Sequence, residues 1–385
     1  MSKLEKVLII GPVSDFGGRE IEVKNIATAL IKNYQITLFS IVPITNNSSA
    51  LIDYVNFKWN SIEKSLFKNN FLIKFSSLIS KHLNSRKEPS YSFVKNKLTK
   101  KYISFNRLTL KLIKREIKKY DKVIFTGELS SKWLKEIIEI CNLNNKPLII
   151  RTTGTILSVP IKIEPLLSKV SSVLVHSKSN LTALNSFKYN NLIIDQTTLY
   201  ETELLKLKTR SSETKLVFGY LGRLAKEKGV LGLLNVFVKT DLELIVAGKG
   251  PYKEDVELLN NKNSNINYIG ELSGSEIVSF FDKIDVLVIP SLEEAGPLVG
   301  IEAMAAGKIV VSTKVGAMME RLYNTTNNFW FDINNEKSLL EVLQKLNKLS
   351  KEEIIAIQDN IRAEYTLKYS NNIISQLYLE LIRNS

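Results

Sequence analysis

The chain has 385 residues and one cysteine, Cys141, so no internal disulfide can form, which fits a reducing cytosol. The thiol itself reads as a small buried hydrophobe. Histidines number two, His82 and His176, far apart in the chain. Two histidines and one cysteine so distributed give no zinc spacing, and no Ser-His-Asp arrangement is legible. No apolar run approaches the roughly 18 residues of a membrane-spanning helix. The start, MSKLEKVLIIGPVSDFGG, has an apolar core of four residues before Gly-Pro, too short for a secretory signal. The expectation is a cytoplasmic protein, attached to a membrane at most at its surface.

With 44% apolar and 24% charged residues the composition is globular. The length exceeds what one core supports, so two domains are expected. Acids are scarce in one place. Between Lys58 and Lys122, 18 lysines and arginines stand against Glu63, Glu88, Glu116 and Asp121, a surplus of 14 that accounts for the whole chain's net charge of +14. Within this segment FKNNFLIKFSSLISKHL (Phe67 to Leu83) sets Phe67, Phe71, Phe75, Leu78 and Ile79 at helical spacing, with Lys68, Lys74 and Lys81 largely elsewhere around the axis. A second basic amphipathic stretch, FNRLTLKLIKREIKKY, runs from Phe105 to Tyr120. Such helices suit an anionic membrane surface, or they are ordinary surface helices packing inward. Nucleic acid is disfavoured, because no recognisable reader motif is present.

Elsewhere strands and helices alternate. KVLIIG (Lys6 to Gly11) is a buried strand, followed by a loop with Gly17 and Gly18, a helical pattern from Ile21 to Ile31 and the strand YQITLFSIV (Tyr34 to Val42). Gly17 and Gly18 let a backbone approach a ligand closely in front of helix amides; a plain strand-to-helix turn reads equally well. KVIFTG (Lys122 to Gly127), PLIIRTTG (Pro147 to Gly154) and SSVLVHS (Ser171 to Ser177) continue the pattern of a doubly wound domain. A polar stretch, Glu201 to Glu213, precedes the next strong strand and marks the boundary.

The second half alternates as well, and its glycines and charges fall at strand carboxyl ends. KLVFGYLG delivers Arg223, with Lys228 after it; LELIVAG ends in Gly248; NINYIGEL carries Gly270 and Glu271. The stretch VLVIPSLEEAGPLVGIEAMAAGKIVVST (Val286 to Thr313) reads as strand, loop, short helix from about Leu298 to Ala306 with Gly307 as its cap, and strand. The carboxyl edge of a parallel sheet is where ligands bind, and exposed helix amides attract anions. Arg223 and Lys228 beside such amides match a diphosphate. Glu294 and Glu302, seven residues between them, match sugar or ribose hydroxyls. Alone the spacing is weak, since 39 of 385 residues are acids and a chosen offset meets one about one time in ten. Convergence of these elements on one sheet edge is the internal evidence for a nucleotide-diphosphate site.

In this order, GYLGRLAKEKG, LIVAGKGP, INYIGEL, IDVLVIPSLEEAGPLVGIEAMAAGKIVVST and VGAMMERL resemble the C-terminal half of the retaining GT-B glycosyltransferases of the family-four type, glycosyl transferases group 1. FGGRE resembles that family's glycine loop, and EYTLKYSNNIISQLYLELI its terminal helices. The resemblance implies two Rossmann-like doubly wound domains facing each other across a cleft. Residues 1–205 are expected to form an acceptor-side domain with a basic insertion at about 58–122. Residues 206–365 form a nucleotide-sugar domain, and 366–385 a terminal helix crossing back.

By the same resemblance Arg223 and Lys228 bind the donor diphosphate and Glu294 contacts the transferred sugar. Amides around Gly296, Pro297 and Leu298 hold sugar hydroxyls and phosphate, Glu302 binds the ribose, and Gly17, Gly18 and Gly248 let the donor approach. No cofactor or metal is implied, the nucleotide-diphosphate sugar being a co-substrate; arginine, lysine and helix dipoles carry the charge of the leaving diphosphate. The acceptor implied is a saccharide or a lipid-linked saccharide, as in bacterial surface polysaccharide assembly, with the basic segment toward an anionic membrane. Many members place a histidine after a first-domain strand; here the segment reads IIRTTGT, so Arg151 or Thr153 takes that place, and the usual double glycine after the last strand is Gly316-Ala317. The rival readings are a nucleotide-sugar epimerase of the same architecture and a non-catalytic binder of membranes or polyanions.

Overall fold

The computed structural model describes residues 4–51, 58–84, 88–184, 191–208 and 215–385. Arg86 and Lys87 of the basic segment and residues 209–214 of the expected boundary stretch lie outside them. The described chain forms two compact units. The first comprises Met1–Val175, Leu181–Ile194 and Ser375–Ser385, and the second His176–Asn180 and Asp195–Ile374. The main division thus falls between Ile194 and Asp195, ahead of the polar stretch that begins at Glu201.

The first unit holds a sheet of β1 (Lys6–Gly11), β2 (Gln35–Ser40), β3 (Lys58–Ser61), β4 (Lys122–Gly127), β5 (Leu148–Thr152), β6 (Ser172–Val175) and β7 (Asn191–Ile193), in the order β3-β2-β1-β4-β5-β6-β7. All its pairs are parallel. Because helices cover both faces, the strands read as unbroken apolar runs: β4 and β5 are buried at every position. The second unit repeats the plan with β8 (Val217–Leu221), β9 (Glu243–Ala247), β10 (Ile266–Tyr268), β11 (Val286–Ile289) and β12 (Ile309–Ser312), in the parallel order β10-β9-β8-β11-β12. Strand order reverses at β1 in one sheet and at β8 in the other, so each sheet has a switch point where ligands bind in such folds.

The basic segment departs from the sequence reading in two ways. The helix expected from Phe67 to Leu83 is two, Ile62–Asn69 and Phe71–Asn84. Asn70 is extended between them, with φ −135° and ψ 111°, and its Oδ1 accepts the Ile73 N–H at 3.0 Å, capping the second helix. Phe67 packs partly against the core while Phe71 and Phe75 stay exposed, so one stripe of phenylalanines is divided between two helices. The second stretch forms the helix Phe105–Ile117, whose Leu112, Ile113 and Ile117 are buried. It is an inward-packing helix with a basic outer face.

Cys141 is buried in the first core, and desolvation pushes its thiol up to about 12, which leaves it inert at neutral pH. Arg151 is fully buried. Its guanidinium meets Glu22 (Nε to Oε1 2.9 Å) and donates to the carbonyls of Val175 and Ile194, at 3.2 and 2.5 Å. Glu22 also accepts the Tyr378 hydroxyl at 2.7 Å. Arg151 is therefore committed to the interior and cannot stand in for a ligand-facing histidine. Thr153 is partly exposed and accepts from Arg19 Nε at 3.0 Å. Among the described residues no helix is long and apolar enough to cross a membrane.

Candidate functional site

The second unit brings its charged and glycine-rich loops together by backbone hydrogen bonds at the carboxyl edge of its sheet. The β8 loop is laced to the β9 loop: Gly222 N–H donates to Ala247 O at 3.1 Å and Leu224 N–H to Lys249 O at 2.9 Å. Leu292 N–H of the β11 loop donates to Glu227 O at 2.8 Å, and Ala317 N–H after β12 donates to Ala295 O at 3.0 Å. Gly248 sits where no side chain fits. Its φ is +140°, and a Cβ there would come within 1.8 Å of the Gly222 carbonyl oxygen. Its requirement is therefore close passage of two loops of the same edge.

On this frame Lys228 and Glu294, distant by 66 residues, form an ion pair. Ser291 Oγ donates to the same Glu294 oxygen at 2.9 Å. The lysine and glutamate side chains are 26% and 14% exposed, so the pair is shielded from bulk water yet open at one side. Glu294 Oε2 is thus available to accept from an incoming hydroxyl. Arg223 is 64% exposed and, among the described residues, reaches only Glu227, at 3.4 Å. Such a contact holds an exposed arginine weakly and leaves it available to an anion. The Arg223 carbonyl accepts the Tyr220 hydroxyl at 2.7 Å, and burial, with Glu294 and Glu227 nearby, raises that phenol's pKa.

Helix Leu298–Ala305 follows with Pro297 at its N-cap; no side chain among the described residues caps it, and the Gly300 N–H donates to Pro297 O at 3.1 Å. Gly307 closes it at φ +62°. Glu302, in its second turn, is buried at 4% exposure. Burial pushes its carboxyl up to about 7; among the described residues no hydrogen bond or neighbouring charge offsets the desolvation. That burial rules out a solvated helix carboxylate. A buried acid without a partner is a costly residue to keep unless a ligand supplies donors.

Three residues that sequence reasoning did not assign to the site stand behind the Glu294–Leu298 loop. Arg321 is fully buried and bidentate with Asp195, Nε to Oδ2 at 2.8 Å and Nη2 to Oδ1 at 2.6 Å, while its Nη1 donates to Pro297 O at 2.6 Å. Desolvation opposes the arginine's charge, and the Asp195 carboxylate outweighs it, raising the pKa. His176 Nδ1 lies 3.9 Å from Asp195 Oδ1. A Cβ on Gly296 would meet Arg321 Nη2 at 3.0 Å and the His176 Cβ at 3.3 Å, so glycine lets the loop lie directly on this network. The signal for Arg321 was its place in VGAMMERL, whose partner Asp195 is 126 residues away.

Gly17 and Gly18 begin helix Gly18–Leu30 in the first unit, Gly17 at φ +143°. Glu20 folds back over that loop, accepting the Ser14 N–H at 2.6 Å and hydroxyl at 2.9 Å. A cavity of about 310 Å³ lies beside Gly229, Tyr252, Pro290, Leu292 and Glu336, but none of Arg223, Lys228, Glu294 and Glu302 lines it.

Residues 201–362 match the model of the family Glycosyl transferases group 1. A relative from Campylobacter jejuni, N,N'-diacetylbacillosaminyl-diphospho-undecaprenol alpha-1,3-N-acetylgalactosaminyltransferase, is 31% identical over 140 residues, 36% of this chain and 36% of its own. A capsular polysaccharide biosynthesis glycosyltransferase from Staphylococcus aureus is 25% identical over 221 residues, 55% of this chain and 57% of its own. The matches span from a third to just over half of the length of such curated relatives. Among solved structures, Anabaena HepE, in complex with UDP and glucose, superposes over 99% of this chain and all of its own, with a TM-score of 0.69 at 15% identity. That likeness spans both parallel α/β units, whereas the family match lies wholly in the unit that carries the ion pair and the buried acid. The fold is GT-B, and the second unit carries a match to the glycosyl transferases group 1 over residues 201–362.

Proposed function

We propose that the protein is a retaining, metal-independent glycosyltransferase that moves a hexose-type sugar from a nucleotide-diphosphate sugar to a saccharide or lipid-linked saccharide acceptor, in assembly of a bacterial surface polysaccharide. The observation that carries the reading is Glu302: a desolvated, unpartnered carboxylate one helical stretch away from an ion pair, on the ligand-binding edge of a parallel sheet. Two vicinal hydroxyls of a ribose supply the donors it lacks. Arg223 and Lys228 offer charge to the diphosphate, and the open start of helix Leu298–Ala305 adds amide donors. As the glycosidic bond breaks, negative charge grows on the leaving diphosphate, and these cations and amides stabilise it where it forms. The carboxylate of Glu294 accepts from hydroxyls of the sugar being transferred, with Ser291 and Lys228 holding its other oxygen. On the retaining course the leaving phosphate oxygen accepts the acceptor's proton, so no further base is assigned.

The acceptor class rests on the relatives' names and on the basic segment 58–122, which suits an enzyme working at the cytoplasmic face of a membrane. The test is incubation with a panel of nucleotide sugars and oligosaccharide acceptors in the presence of a chelator, with the anomeric configuration of the product read by NMR. An α-configured product from an α-configured donor is expected, and its loss on changing Arg223 or Glu302 to Ala. Full transfer by either variant overturns the site. Conversion of the nucleotide sugar with no acceptor present marks an epimerase instead.

A further inference from the structure

Helix Phe71–Asn84, within the basic segment, carries an apolar face for which the chemistry of the second unit has no use. Of its 14 residues only Ile73 and Ser77 are buried. Phe71, Leu72, Phe75, Leu78, Ile79 and Leu83 are 40–78% exposed. At about 100° per residue these six fall within an arc of about 140° on the side opposite Ile73 and Ser77, and the only polar residue inside that arc is His82. The rings of Phe71 and Phe75 lie nearly parallel along it, with centroids 6.4 Å apart. Lys74 and Lys81 border the arc on one flank. On the other, Ser76 holds Asn96 by a 3.0 Å hydrogen bond, and Asn96 caps the short helix Lys97–Tyr102. That helix adds exposed Leu98 and Tyr102 together with Lys97, Lys100 and Lys101.

We infer that this face is a membrane-docking surface: helix Phe71–Asn84 lies in the plane of an anionic bilayer with its six large apolar side chains below the headgroups. A contiguous apolar face of this size on a soluble surface marks an interaction site. Charge selects the occupant. From Ile62 to Tyr102 the only acids are Glu63, which is buried against Lys95 at 2.8 Å, and Glu88. A second copy docking by the same face would bring one cationic rim onto another, which costs rather than gains. A polyanion satisfies the lysines and leaves the apolar residues in water. An anionic lipid surface satisfies both: the acyl region takes the apolar arc, and the flanking lysines extend along it to reach phosphates. Helix Phe105–Ile117, equally basic in sequence, has its apolar residues in the core and offers charge alone. The inference stands on this surface and not on the chemistry of the second unit.

Flotation of the full chain with vesicles tests it. The wild type is expected to float with phosphatidylcholine vesicles containing phosphatidylglycerol, and weakly with phosphatidylcholine alone. The combined Phe71→Ser, Phe75→Ser and Ile79→Ser variant, changed only at exposed positions and checked by its melting curve, is expected to lose at least about tenfold in partitioning. Its transfer to a water-soluble acceptor stays at the wild-type rate, so failure of docking and failure of the transferase reading are separately visible. Flotation of the variant equal to wild type overturns the inference, as does a wild type that ignores anionic vesicles. A wild-type dimer by light scattering that the three serines convert to monomer, without vesicle binding by either, assigns the face to a second copy and also overturns it.

Discussion

Changing Glu302 to Gln is expected to stabilise the free protein while removing its activity. The fold raises this carboxyl from 4.5 to about 7 by desolvation alone. A raised acid means that the folded state holds its proton longer than the unfolded chain does. Stability is therefore intact below pH about 4.5, falls as pH rises between about 4.5 and 7, and carries the full penalty above that. The gap of about 2.5 pH units corresponds to about 3 kcal/mol. Glutamine keeps the shape and leaves out the charge, so at alkaline pH the variant should gain up to that amount, and in acid nearly nothing. In a unit of this size that is a rise in melting temperature of several degrees, growing with pH.

Nucleotide binding should move the same group the other way. Ribose hydroxyls donating to the carboxylate favour its charged form, so binding releases a proton near neutrality and tightens as pH rises through about 7. Two hydrogen bonds to a charged acceptor at about 1.5–3 kcal/mol each make the loss of affinity in the variant about a hundredfold or more. The assays are thermal melts of both proteins across pH, and calorimetric titration with a nucleoside diphosphate in buffers of different ionisation enthalpy. Equal melting temperatures for both proteins at all pH values, or equal nucleotide affinity, refutes the reasoning that this acid is held unpaired for a ligand.

Arg321→Met should cost about 3–5 kcal/mol in urea melts, because it strands Asp195 in the interior; adding Asp195→Leu should recover most of the stability and none of the transfer, since Pro297 O still lacks its donor. Lys228→Ala should lower turnover about 10²–10³-fold while changing stability by no more than about 1 kcal/mol, a split that stopped-flow assays and melts resolve together. Gly248→Ala should lose more than about 2 kcal/mol, because a Cβ 1.8 Å from the Gly222 carbonyl forces the β8 and β9 loops apart; a melt within error of wild type contradicts the close passage.

The parallel sheets were legible because buried strands declare themselves locally: KVLIIG, KVIFTG and KIVVS are unbroken apolar runs, and each is a strand in the fold. The loops at their ends were legible too, since Arg223, Lys228, Glu294 and Glu302 sit within short distances of those runs in sequence. The basic helices show the limit. Phe67 to Leu83 and Phe105 to Tyr120 carry the same helical period and the same charge, yet one is cut at Asn70 and turns its apolar side outward, while the other buries it. Period fixes that a helix has an apolar face; which face meets the core depends on what the neighbouring elements leave uncovered.

The buried network behind the β11 loop raises the more general point. Arg151 with Glu22, and Arg321 with Asp195, are two buried arginine–carboxylate pairs, joined across 129 and 126 residues, which no local pattern announces. Both arginines have carbonyl acceptors as well as a carboxylate, so their bonding capacity is consumed by the protein. The residues placed on the ligand edge are different in kind: Arg223 holds one long contact to Glu227, Glu294 is bonded through one oxygen, and Glu302 has only desolvation acting on it. Sequence reading assigned Arg223 to the donor diphosphate and left Arg151, with Thr153 as the alternative, at the place of the family's first-domain histidine. What separates them is saturation. A charge whose donors or acceptors are all used inside the fold is spent on holding it, and a charge left short of partners at the carboxyl edge of a parallel sheet is free to bind; swapping Arg151 for Met should therefore reduce stability first, and Arg223 for Ala transfer alone.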